Sequence, residues 1–127
     1  MIISSEKESS IFLEVNSCAR QLLSDRDYAM HRKYGRVDYH ILYITHGLCT
    51  AEFKNEIINV NAGNIILFKP HEKQKYSFKA YDHSVSCYIH FSGTECDRLL
   101  KQFHLYDNHV TFVGVNSTLE NFFQNGI

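Results

Sequence analysis

From about Tyr28 to Phe91 the chain alternates short apolar runs with turn residues, a pattern that predicts strands. Asp38 to Thr45 reads DYHILYIT, rich in aromatic and β-branched side chains, and ends just before Gly47. Leu48 to Phe53, a polar Lys54-Asn55-Glu56 turn and Ile57 to Val60 together predict a hairpin. Asn61-Ala62-Gly63 forms another turn ahead of the run Ile65 to Phe68, which stops at Pro70. Lys75 to Ala80 and Ser84 to Phe91 complete the set. Six or seven strands with no helix between them exclude a parallel βαβ sheet and predict an antiparallel sandwich or barrel.

After Gly93 the period changes. Thr94 and Asp97 have the spacing of a capping box, and Cys96, Leu99, Leu100 and Phe103 share one helical face. A second helix is predicted from Ser117, with Glu120 three residues on and an apolar stripe of Leu119, Phe122 and Phe123. That stripe fits either a cover over the barrel or a partner surface. Gly126 fits a natural C-cap and equally a helix cut short. The marginal stability of a two-turn amphipathic helix favours the second.

Composition narrows the function classes. A length of 127 residues suits one domain, and 44% hydrophobic with 21% charged residues is a globular balance. Thirteen basic residues against fourteen acidic ones leave no positive surplus to hold a phosphate backbone. Met1 to Ser10 is polar and lacks the apolar core of a signal peptide, and no segment is apolar for long enough to span a membrane. With four widely spaced cysteines and no C-x-x-C pair, reduced thiols in a cytoplasm are the expectation.

Eight histidines raise the question of a metal. Small barrels that hold one generally carry an H-x-H pair on a strand, where alternation turns both rings inward. Here no H-x-H exists, Gly47 to Pro70 contains no histidine, and Gln74 stands where a third ligand would fall. No metal and no cofactor are therefore expected. No G-x-S-x-G elbow, phosphate-binding glycine loop or recognisable triad is present, so no catalytic residue is assigned.

Three stretches carry a resemblance. His31 to Ile44 (HRKYGRVDYHILYI) resembles the R-x-x-G-R-x-D-Y-x-L-x-Y opening of the regulatory domain of AraC-family transcription regulators. Gly63 to Pro70 (GNIILFKP) is similar to that family's G-D-I-L-L-F-x-P turn, and Tyr88 to Gly93 (YIHFSG) to its aromatic-x-H-F-x-G strand end. The motifs occur in the family's order and cover about Cys18 to Leu105, most of the chain. Asn64 replaces the usual Asp, and Tyr88 stands where the family often has Trp. The resemblance implies a mainly β fold, an antiparallel cupin-like barrel of jelly-roll type followed by C-terminal α-helices. It also implies a non-enzymatic module that binds a small effector, commonly a sugar, and forms a homodimer. Residues 1–17 would then be an arm, 18–127 the effector-binding barrel with the start of the dimerisation helices. The helix-turn-helix units that read DNA would belong to a longer parent protein.

Alternation on the last strand puts Ser86, Tyr88 and His90 on one face and Val85, Cys87, Ile89 and Phe91 on the other. Periodicity alone makes the apolar set core and the polar set a wet surface. The resemblance instead turns Ser86 and Tyr88 into a pocket, where an aromatic face stacks on a sugar ring. On the same grounds Arg32 and Tyr76 become ligand contacts. Gln74, on the same face as Tyr76, and His90 complete the expected binding set. The alternatives are a stand-alone cupin-like enzyme acting on a sugar or related small molecule, which needs a metal, and a ligand-free dimerisation domain with a filled barrel.

Overall fold

The computed structural model describes residues 13–125, without the side chains of 122–125. Met1 to Phe12, which make up most of the expected arm, lie outside it, as do Gly126, Ile127 and the Phe122 and Phe123 side chains. Among the described residues nine strands form two antiparallel sheets. In chain order they are β1 (Glu14–Leu23), β2 (Tyr28–Arg32), β3 (Tyr39–His46), β4 (Leu48–Phe53), β5 (Glu56–Asn61), β6 (Asn64–Phe68), β7 (Gln74–Phe78), β8 (Ser84–Ser92) and β9 (Val110–Phe112). One sheet has the order β1-β8-β3-β6-β9 and the other β2-β7-β4-β5. Helix α1 (Cys96–Gln102) precedes β9, and α2 (Ser117–Asn125) follows it. The result is the antiparallel, mainly β architecture that the strand pattern predicts, and it is of the jelly-roll type that the resemblance implies.

The two sheets read differently in sequence because they are covered differently. Leu42, Ile44, Ile66 and Phe68 of the five-stranded sheet point inward, against Cys49, Ala51, Phe53, Val60, Tyr76 and Phe78 of the four-stranded one. The opposite face of the larger sheet is also buried. Ile41, Tyr43, Ile65, Leu67, Cys87, Ile89 and Phe91 pack with Cys96 and Leu100 of α1, and with Leu119 of α2 at the margin. A strand buried on both faces has no reason to alternate, hence the unbroken runs HILYIT and IILF. The smaller sheet keeps one face wet, and its β4 alternates between buried and half-buried positions.

Turn chemistry sets the register. The β4–β5 hairpin closes through Lys54 and Asn55, both at positive φ (51° and 68°), with Phe53 paired to Glu56. Gly47 joins β3 to β4 at φ +83°, and a Cβ there would lie 2.3 Å from Ser84 Oγ and 2.7 Å from its Cα. Only glycine fits both conditions. β7 ends at Phe78, short of the expected Ala80, because Ala80–Asp82 wind into a 3-10 turn.

Both helix starts differ from the sequence expectation. The residue capping α1 is Glu95, not Thr94, and the Asp97 carboxylate accepts a hydrogen bond from the Tyr39 hydroxyl, tying α1 to β3. For α2 the cap comes one residue early, where Asn116 Oδ1 accepts from the Leu119 amide at 3.0 Å. Glu120 instead reaches Arg20 of β1 at 3.1 Å.

The segment leading into α2 is held by Tyr43, fully buried, whose hydroxyl donates to Gly114 O at 2.6 Å and accepts from the Asn116 amide at 3.1 Å. Tyr43→Phe leaves both backbone groups without that partner and is expected to cost about 1–3 kcal/mol. Urea unfolding measures the loss, and amide exchange in α2 should accelerate with it. An unchanged midpoint would show that Tyr43 contributes only its ring.

Candidate functional site

Between the sheets, at the end where β1 and β2 form the edges, lies a cavity of about 140 Å³. Alternation builds it. Tyr28, Met30 and Arg32 are every second residue of β2, His40 and Leu42 of β3, and Tyr88 and His90 of β8, with Gln21 from β1 and Tyr76 from β7. Strand pairing then stacks the walls, placing His40 opposite His90, Leu42 opposite Tyr88 and Met30 opposite Tyr76.

Four of the six residues singled out from sequence, Arg32, Tyr76, Tyr88 and His90, line this cavity. Gln74 and Ser86 share the inner faces but sit behind the wall, each fully buried. Gln74 works on two lining residues at once, since its Oε1 accepts from Arg32 Nη1 at 2.9 Å and from His40 Nδ1 at 3.1 Å. Ser86 Oγ has no partner among the described residues. The polar set of β8 is thus no wet surface, and both faces of that strand are covered.

Reading the sequence missed Gln21, Tyr28, Met30, His40 and Leu42. For β2 a signal was there, as Tyr28 and Met30 alternate with Arg32. For β3 there was none, because a strand buried on both faces does not reveal which face meets a cavity.

The electrostatics are simple. Among the described residues that line the cavity, Arg32 alone carries a permanent charge. His40 and His90 stand edge to face with ring centroids 4.4 Å apart. Burial, then the field of His90, pulls the His40 pKa down to about 3. Burial followed by the field of Arg36 brings His90 to about 4. Both rings are therefore neutral near pH 7. His90 Nδ1 is hydrogen-bonded to Ser17 Oγ at 2.7 Å, and the Nε2 atoms of both histidines lack partners among the described residues. Asp38 lies behind this cluster. Burial alone would raise its pKa, but hydrogen bonds from Arg36 and Asn16 outweigh that and hold it below the usual carboxylate range. Among the described residues no group of three His, Cys, Asp or Glu side chains stands ready to hold a metal ion.

Residues 17–127 match the AraC-like ligand binding domain. The chain belongs to that family. No curated protein matches it. Among solved structures it resembles ToxT from Vibrio cholerae, at 18% identity and a TM-score of 0.54 over 89% of this chain and 48% of that one. A structure of ToxT with bound unsaturated fatty acid matches at 18% identity and a TM-score of 0.51, over 87% and 44%. At that identity the likeness speaks for the fold. This AraC-like domain spans about half the length of the ToxT chains it matches. No helix among its described residues is long and apolar enough to cross a membrane.

Proposed function

We propose that this AraC-like domain is the sensor half of a transcription regulator, and that the cavity between its sheets takes a small effector of sugar type. One observation carries the reading. A fixed guanidinium, two neutral histidines whose Nε2 atoms have no partner among the described residues, and three tyrosines converge on one cavity. Buried polar atoms without partners are rare in a folded domain, and a ligand that supplies the missing bonds accounts for them. The volume of about 140 Å³ falls below the roughly 300 Å³ at which drug-sized sites begin, which suits a molecule the size of a monosaccharide. Tyr28, Tyr76 and Tyr88 supply faces for a sugar ring. In this reading the protein is not an enzyme, acts in the cytoplasm and pairs as a homodimer. DNA is reached through a helix-turn-helix domain elsewhere in the parent protein. Of the arm expected at residues 1–17, Glu14 to Ser17 already belong to β1 and pair with β8; the part ahead of that strand would close over bound effector, shifting the population between two dimer arrangements.

Isothermal titration against monosaccharides and small organic acids tests this. A binder is expected, and Tyr88→Ala should weaken it about five- to tenfold by removing the stacking face. Tyr88 is only half-buried, so the fold should survive the change. Failure of every compound to bind or to raise the melting temperature would favour a filled dimerisation domain instead. Stoichiometric iron, manganese or zinc in the purified protein would favour the cupin-like enzyme.

A further inference from the structure

We infer that the effector carries a carboxylate, received by Arg32, together with a hydroxyl that donates to His40. This rests on the reading of the cavity as an effector site and narrows its chemical class to small hydroxylated acids, such as sugar acids.

The first argument is charge. Arg32 brings a permanent positive charge to the cavity, and no acidic side chain among the described residues lines it. No carboxylate pairs with Arg32 among the described residues, for Asp38 is already engaged by Arg36 and Asn16. The hydrogen-bond partners the protein gives Arg32 are neutral: the Gln74 amide oxygen, at Nη1, and the Tyr76 hydroxyl. A neutral sugar would enclose that charge without compensating it, whereas a carboxylate both compensates it and matches the planar fork of donors.

The second argument is the tautomer of His40. Arginine can only donate, so the oxygen of the Gln74 amide must face Arg32. That same oxygen then receives the His40 Nδ1 contact, so Nδ1 carries the hydrogen. In the neutral ring Nε2 is left as a bare acceptor, buried within a side chain that lines the cavity and without a donor among the described residues. A carboxylate has nothing to donate to it, and a hydroxyl does. One amide thereby sets up both halves of the recognition: it orients the cation and fixes the acceptor.

The test compares matched pairs that differ only in the acid: galacturonate with galactose, and lactate with 1,2-propanediol. Each is titrated at millimolar concentrations and constant ionic strength, following the Arg32 Nε–H and tyrosine ring resonances by NMR. The acid of each pair is expected to bind at least about tenfold more tightly than its neutral partner, and to shift the Arg32 signal. Arg32→Gln should remove that preference. If a neutral partner binds as tightly as its acid, the carboxylate inference fails while the effector site stands. If no compound shifts any cavity resonance, both fail. The comparison within each pair uses the unaltered protein, so it decides the matter even if the Arg32→Gln variant does not fold.

Discussion

Acidification from about pH 7.5 to about pH 5 is expected to remove roughly 4 kcal/mol of folding stability, before the carboxylates begin to titrate. The cause is the pair of buried histidines facing each other across β3 and β8. In the unfolded chain each titrates near the ordinary 6.5, while in the fold they are held near 3 and 4. The unfolded state therefore binds more protons over this window, and stability falls as pH falls. The loss begins below about 6.5 and continues until the folded rings themselves accept protons. At pH 5 the arithmetic is about 2 kcal/mol for each ring, a large share of the 5–15 kcal/mol typical of a domain. Urea unfolding at a series of pH values measures it. Replacing His90 with Gln should halve the slope, and a midpoint that stays constant from pH 7.5 to 5 would rule out burial of two neutral imidazoles.

The second large effect concerns Phe68. Its ring is fully buried, stacked on Phe53 at 5.6 Å and on Tyr76 at 5.8 Å, with His40 at 5.7 Å. Strands from both sheets hold it, so the neighbours have little freedom to collapse into the space it leaves. Phe68→Ala is expected to cost about 3–5 kcal/mol, transfer and cavity terms together. Val37→Ala, at a site 81% exposed, is the control and should stay within about 0.5 kcal/mol. A loss below about 1 kcal/mol for Phe68→Ala would mean that the two sheets close over the gap. The same variant enlarges the space beside Tyr76 and His40, so it should also loosen any ligand selectivity of the cavity.

What could be read before the structure follows from how each strand is covered. β3, β4, β6 and β8 were plain because they are central and apolar. β1 was not, since an edge strand mixing exposed Glu14, Asn16, Arg20 and Leu22 with half-buried Cys18 and Ala19 shows no clean period. β9 has three residues, too few for any period, and is identified only by its pairing to β6. At the site, the gathering of Arg32, Tyr76, Tyr88 and His90 followed from motif positions. Periodicity alone left Ser86, Tyr88 and His90 on the wrong side of the water line. Gln74 could be placed on the correct face, yet its position behind the wall depends on Arg32 and His40 arriving from two other strands. No linear pattern contains that meeting. The helix starts failed in a similar way, as Asp97 and Glu120 found partners on strands distant in the chain rather than at the helix ends beside them.

The strand order has a consequence for how the chain is made. In the five-stranded sheet no two neighbours are consecutive in sequence, and in the other sheet only β4 and β5 are. β1 finds its partner in β8, where Glu14 meets Ser92, and β3 needs β8 as well. During synthesis the β4–β5 hairpin is thus, among the described strands, the only pairing of sequence neighbours that can form as soon as its residues emerge. The apolar run of β3 must wait for β6 to cover one edge, and its other edge stays open until β8 has cleared the exit tunnel. Such non-local pairing folds slowly and exposes strand edges to mispairing meanwhile. Yield in cells should accordingly depend on translation speed and chaperone supply more than on the stability of the finished domain.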